Sequence, residues 1–121
     1  MPVKSLNSSV LKWPKRQEIF DVLSHWVQKT INSRSDIQKI GYFGSFARND
    51  WGPGSDLDLI VIVNDAVEPF GRRSLGRDVL ELPVSVDLLI FTMDEWRRHE
   101  KMNSRFYKTI QNEVVWIYEA G

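Results

Sequence analysis

Apolar residues recur along this chain in two rhythms. Within "KRQEIFDVLSHWVQKTI", Ile19, Phe20, Leu23, Trp26, Val27 and Ile31 fall at helical spacing and form one stripe. Pro14, just upstream, suits the first turn of that helix. "NSRSD" (Asn32 to Asp36) breaks the pattern, and the β-branched and aromatic run "IQKIGYFG" (Ile37 to Gly44) reads as a first strand. "DLDLIVIV" (Asp56 to Val63) is the clearest strand, closed by the turn residues of "NDAVEPF". "GRRSLGRDVLEL" is a weak helix carrying Leu75, Val79, Leu80 and Leu82; Pro83 ends it, and "VSVDLLIF" (Val84 to Phe91) is a third strand. Thr92 and Glu95 have capping-box spacing and open a helix at "DEWRRHE". "SRFYKTIQNE" gives another short helix and "VVWIY" (Val114 to Tyr118) a last strand. The alternation predicts an α/β (α+β) fold, a small mixed sheet with helices packed on one face.

Length changes this picture little: 121 residues suit one domain of about 100–150 residues. Residues 1–13 are polar and serine-bearing and read as a loosely held arm, leaving 14–121 as the domain. Sixteen basic and sixteen acidic residues cancel, so no global field draws the chain to nucleic acid or to an anionic membrane. The absence of cysteine removes disulfides, thiolate chemistry and cysteine zinc sites together. No run approaches the roughly 18 apolar residues of a membrane span. "MPVKSLNSSVLKWPK" lacks the apolar core of a secretory signal, and the expectation is a soluble, cytoplasmic protein.

The candidate chemistry lies in "GSFARNDWGPGSDLDLIVIV" (Gly44 to Val63). Residues two apart on a strand share a face, so Asp56 and Asp58 point the same way at the start of an otherwise buried strand. Carboxylates are costly to bury without a partner. Asp87 interrupts a second apolar run in the same manner, and adjacent strands would bring all three together. Three near carboxylates raise one another's pKa unless a cation intervenes, and hard oxygen donors without histidine or cysteine favour Mg²⁺ or Mn²⁺. Taken singly, each aspartate reads more readily as a turn cap or an arginine partner, and only their joint occurrence in apolar strands brings the two readings level. Upstream, Gly44-Ser45 forms a tight turn before a helical stretch, where free backbone N–H groups face an anion. The Ser45 hydroxyl adds a donor and Arg48 a charge.

This stretch resembles the signature of the nucleotidyltransferase superfamily that includes DNA polymerase β, with its palm-like fold. The closer likeness is to the minimal nucleotidyltransferases, of the MntA-like antitoxin type. Their pattern reads Gly-Ser-x-Ala-Arg-Gly, a short loop, then Ser-Asp-x-Asp-Leu. Gly44, Ser45, Ala47, Arg48, Ser55, Asp56, Asp58 and Leu59 match it, and Asp87 in "VDLLIF" fits the third acid. "SRFYKTIQNEVVWIY" resembles the end of those domains, so the likeness spans most of 15–118. Asn49 departs from the usual glycine, although asparagine tolerates left-handed backbone better than most residues.

The resemblance implies nucleotidyl transfer: a hydroxyl attacks the α-phosphate of ATP or another nucleoside triphosphate, and pyrophosphate leaves. By the same resemblance, Asp56 and Asp58 bind two metal ions about 3.5–4 Å apart. Asp87 holds the one nearest the nucleophile and helps take its proton. Gly44 and Ser45, with Ser55 nearby, grip the nucleotide's phosphates, and Arg48 steadies the helix or the phosphates. The chain has no room for a primer- or tRNA-binding domain, and its charge balance leaves direct nucleic-acid binding without a footprint. Minimal members pair with a small helical HEPN-family protein and act as its antitoxin, in some cases by transferring AMP onto a tyrosine. A HEPN-family partner is therefore expected, with oligomers allowed. The alternative is a catalytically silent subunit that holds a nucleotide and neutralises its partner by contact.

Other candidates carry bland readings. His25 is a surface or boundary residue, and His99-Glu100 lacks the second histidine of a zinc-protease helix. "EWRRHEK" is a solvated face, and Arg72, Arg73 and Arg77 are loop arginines. Trp51, in the polar loop before Ser55, is the tryptophan expected to be exposed and to touch a base or a partner.

Overall fold

A computed structural model describes residues 15–65, 75–76 and 82–121. Its first helix, α1 (Arg16–Ser33), buries Ile19, Leu23, Trp26, Val27 and Thr30, the stripe that the helical spacing marks. Phe20 and Ile31 lie at its half-buried margin. The chain then turns through an Arg34–Asp36 ion pair, 2.7 Å, into β1 (Ile37–Phe43). A five-residue helix, α2 (Gly44–Arg48), follows directly, so Gly44 begins that helix rather than ending the strand. Strand β2 (Leu57–Val63) is next, with every residue buried except Asp58. After β3 (Val86–Thr92) come α3 (Met93–Met102), α4 (Arg105–Glu113) and β4 (Val115–Glu119).

The strands form one mixed sheet in the order β3-β2-β1-β4. β1 runs antiparallel to both β2 and β4, whereas β2 and β3 are parallel. A parallel pair needs a crossover between its strands. Within that connection Leu75 and Leu82 are buried, and Leu75–Gly76 is helical. Of the helix expected over 71–82, residues 71–74 and 77–81 lie outside the described residues and Leu82 lies in a bend; the arm 1–13, Arg72, Arg73 and Arg77 are likewise outside.

The side-chain alternation of β2 decides how the layers stack. Leu57, Leu59, Val61 and Val63 pack with Ile19, Leu23, Trp26 and Phe46 under α1 and α2. Ile60 and Ile62 point the other way, onto Trp96 of α3 and Ile110 of α4. The small mixed sheet agrees with the expectation, but helices cover both of its faces rather than one. The reason is the sequence of β2 itself: a strand apolar on both faces needs cover on both. Burial of each such Leu, Ile or Val is worth about 1.5–3 kcal/mol, so this central strand anchors both layers.

Local capping follows the sequence closely. The Thr92 Oγ1 accepts from the Glu95 N–H at 3.1 Å, and the Thr92 N–H donates back to Glu95 Oε1 at 2.8 Å. That box starts α3 where β3 stops, one residue beyond the expected strand end. Asn103, at φ 49°, closes α3, and the Ser104 Oγ accepts from the Tyr107 N–H at 3.0 Å to open α4.

One glycine marks the tightest approach in the sheet. A Cβ on Gly41 would stand 2.8 Å from Trp116 Cε3 and 2.9 Å from the Val115 carbonyl oxygen, across the bulge where β1 meets β4. Gly41→Ala is expected to lower stability by about 1–3 kcal/mol through overpacking. A chemical-denaturation midpoint that falls at constant slope will show this.

Candidate active site

The site is built at one end of the sheet, where β1 ends and β2 and β3 begin. Asp58 is paired with Phe43 across the antiparallel β1–β2 ladder and with Asp87 across the parallel β2–β3 ladder. Residues in register on parallel strands point to the same face, and neighbouring strands lie about 4.8 Å apart. The two carboxylates therefore stand side by side, on the face that carries Ile60 and Leu89 further along. Asp56 lies one residue before β2 and is exposed; Asp87 is exposed and Asp58 half-buried.

Burial, then the charges of Asp87 and Asp56, push the Asp58 carboxyl above its ordinary value of 3.8; Arg48 opposes this and Glu113 adds to it. Asp56 and Asp87 thus both act on Asp58. Among the described residues no group of three or more aspartate, glutamate, histidine or cysteine side chains is gathered closely enough to hold a metal ion. Like charges hold apart until a cation neutralises them. The donor set, all carboxylate oxygens and one of them partly desolvated, fits a hard divalent cation such as Mg²⁺ or Mn²⁺.

Gly44 makes this arrangement possible. Its φ is +71°, in the left-handed region, and a Cβ there would stand 2.1 Å from Asp58 Oδ2. Both the backbone and the neighbouring carboxylate exclude a side chain at this position. Ser45 follows, half-buried, and its carbonyl oxygen accepts from the Asp50 N–H at 3.0 Å, closing the loop back on the helix. Asn49, at φ 65° and ψ 27°, caps α2 in the left-handed conformation, so asparagine does here what glycine usually does. Phe46, fully buried, fixes α2 to the core.

Arg48 and Ser55 have structural partners. The Arg48 guanidinium donates from Nη1 to Glu113 Oε2 at 2.9 Å and from Nε to Asp50 Oδ2 at 3.3 Å. Ser55 braces its own loop, with its N–H donating to the Gly52 carbonyl at 2.9 Å and its Oγ accepting from the Gly52 N–H at 3.2 Å. Trp51 differs from expectation: it is half-buried and sits edge-on to Phe46, ring centroids 5.6 Å apart. An aromatic next to a glycine-rich loop folds back when a buried ring offers it an edge contact. His25 is exposed as expected, and His99 packs against Phe91 and Phe106.

One member of the site escapes sequence reasoning. Glu113, the last residue of α4, accepts the Gly44 N–H on Oε1 at 3.2 Å in addition to holding Arg48. It lies 69 residues from Gly44, and only the folded chain brings them together. Its one sequence signal is an acid at the end of an amphipathic helix.

Comparison with known proteins gives the family and the fold. The model of the nucleotidyltransferase domain family matches residues 25–117. No curated protein matches the chain. Among solved structures, a protein from Sulfolobus solfataricus assigned as a nucleotidyltransferase is similar at 17% identity. That match has a TM-score of 0.59 and covers 90% of this chain and 92% of that one. A chain of a toxin–antitoxin complex with AMP-PNP is similar at 18% identity and a TM-score of 0.57, covering 79% and 73%. A chain of a complex between the tri-AMPylated Shewanella oneidensis HEPN toxin and its MNT antitoxin is similar at 15% identity. It has a TM-score of 0.52 and covers 88% and 74%. At these identities the likenesses establish the fold. No described helix is long and apolar enough to cross a membrane.

Two outcomes test the site. Gly44→Ala is expected to abolish Mg²⁺-dependent nucleotide binding while costing about 1–2 kcal/mol of stability, the strain of a left-handed alanine. Titration calorimetry and thermal melting measure the two effects. The second concerns pH. Asp58 holds its proton more tightly folded than unfolded, so its stability contribution is full at low pH and is lost as pH rises through the raised value. Asp58→Asn is therefore expected to raise the melting temperature at pH 7 and to leave it unchanged near pH 3.

Proposed function

The chain belongs to the nucleotidyltransferase domain family, and on that premise we propose that it transfers AMP from ATP to a hydroxyl of a HEPN-type partner protein, as the antitoxin of a toxin–antitoxin pair. The observation that carries this reading is the register of Asp58 against Asp87, beside the side-chain-free Gly44. Asp56, Asp58 and Asp87 would hold the divalent ions, two by analogy with other phosphoryl-transfer sites. When bound, these supply positive charge to the attacking and leaving oxygens.

The chain's own groups divide the remaining work. The Gly44 N–H is held by Glu113, so the Ser45 hydroxyl would be the donor that this turn offers the β- and γ-phosphates; Arg48, itself paired with Glu113 and Asp50, would steady the turn, and Ser55 keeps the loop before Asp56 in shape. Asp87, exposed at the edge strand, would accept the proton of an incoming hydroxyl. The oxygen of that hydroxyl forms its bond to the α-phosphorus as the bond to the bridging oxygen breaks. Pyrophosphate then departs with the electron pair. An exposed acid suits an acceptor supplied by another protein better than one held in a deep cleft. The chain is read as cytoplasmic, where ATP and such a partner are found. The similarity to complexes containing AMP-PNP or an AMPylated HEPN toxin supports the choice of ATP and of partner.

The left-handed Asn49 keeps the turn intact, so the departure from the usual glycine gives no ground for a silent subunit. The decisive experiment incubates the chain with ATP labelled on the α-phosphate, Mg²⁺ and an extract of its native host. Label is expected on one small protein, and Asp58→Asn or Asp87→Asn should each slow its appearance at least about a hundredfold. Binding of ATP without any label would instead leave a nucleotide-holding subunit that neutralises its partner by contact.

A further inference from the structure

Glu113 is the acid at this end of the sheet to which the reading above gives no task. Both of its oxygens are committed, Oε1 to the Gly44 N–H and Oε2 to Arg48 Nη1. Gly44 and Arg48 are the first and last residues of α2, so one carboxylate spans the helix from end to end. A helix of five residues does not sustain itself and takes its shape from what surrounds it. Phe46 holds it from the core side, and the Asp50 N–H to Ser45 carbonyl bond closes its far end. On the site side, the hold comes from Glu113.

Charge makes this choice of residue informative. Glu113 adds a negative group where Asp56, Asp58 and Asp87 already face a triphosphate that is itself strongly negative. Coulomb's law alone favours a neutral side chain there. A solvent-exposed ion pair such as Arg48–Glu113 contributes little to stability. The gain has to lie elsewhere, in a charge-assisted grip on the one turn that must keep its shape for Asp58 to lie against Gly44.

We propose that Glu113 is a positioning residue for the nucleoside triphosphate, acting through the Gly44 amide and the Arg48 guanidinium to hold the phosphate-facing turn in its binding conformation. This rests on the nucleotidyl-transfer reading. It also gives the last helix a part in the site: α4 ends at Glu113, whose carboxylate reaches the turn that begins α2.

The sign of one substitution separates positioning from simple electrostatics. Glu113→Gln keeps the side chain's length and one acceptor oxygen but loses the charge. If the carboxylate merely repelled the substrate, the variant would bind nucleotide more tightly. Positioning predicts looser binding, by about ten-fold, the scale of one charge-assisted hydrogen bond. The test measures the affinity of the intact chain for α,β-methylene nucleoside triphosphates of all four bases with Mg²⁺, by calorimetry. Hydrogen exchange of the Gly44 amide is followed in parallel without nucleotide. The expected result is weakened binding in Glu113→Gln, faster Gly44 exchange in Glu113→Ala, and a Glu113→Gln/Arg48→Gln double variant little worse than either single one. Equal or tighter binding in Glu113→Gln, with wild-type affinity intact, overturns the positioning role alone. A wild-type chain that binds none of the four nucleotides overturns the transfer reading, and the positioning role with it.

Discussion

The Asp58 carboxylate lies where the first side-chain carbon of any residue other than glycine at position 44 would stand. That close approach joins the end of β1 to the start of β2. It sets the backbone of the turn in the left-handed region and leaves α2 to begin where the strand stops. Asp58 is meanwhile fixed on its other side by the parallel register with β3, which sets Asp87 next to it. The site therefore needs no deep cavity. It follows from one missing Cβ and one strand register, both held by a central strand that is buried on two faces.

Electrostatics gives the same end of the molecule its character. The chain as a whole is neutral, yet Asp56, Asp58, Asp87 and Glu113 gather at this end around Arg48, and Asp58 responds with a raised proton affinity. A neutral sum over 121 residues conceals a local surplus of negative charge. Such a surplus is costly by itself, and binding of a divalent cation relieves it. The same concentration of charge explains why Glu113 is read through what it holds rather than through its sign.

Much of this was legible in the sequence because it depends on local rules. The helical stripe of α1 and the Thr92–Glu95 box are short-range signals, and each found its place in the fold, whereas of the two aspartates only Asp58 lies on β2. Gly44 was legible as a turn and Asn49 as a tolerated left-handed residue, though the clash that requires Gly44 involves a residue fourteen positions on. Partnership between Asp58 and Asp87 was a conditional inference, since periodicity does not say which strands are neighbours. What stayed hidden was of long range. Cover on both faces of the sheet depends on which helices pack against which side of β2, and the apolar run "LDLIVIV" does not specify that. Trp51 was misplaced because a polar loop gives no sign of the Phe46 ring beneath it. Glu113 was missed because nothing in its neighbourhood points 69 residues back to Gly44.

The central proposal is that Asp56, Asp58 and Asp87 together hold a divalent cation beside the Gly44 turn. Paramagnetic broadening of the backbone amide signals by substoichiometric Mn²⁺, in the presence of α,β-methylene-ATP, tests it most directly. The expected result is broadening centred on Gly44, Asp58 and Asp87, displaced by excess Mg²⁺ and lost in Asp58→Asn. Broadening centred elsewhere, for example on the exposed acids Asp94 and Glu100 of α3, or unchanged in Asp58→Asn, would contradict it.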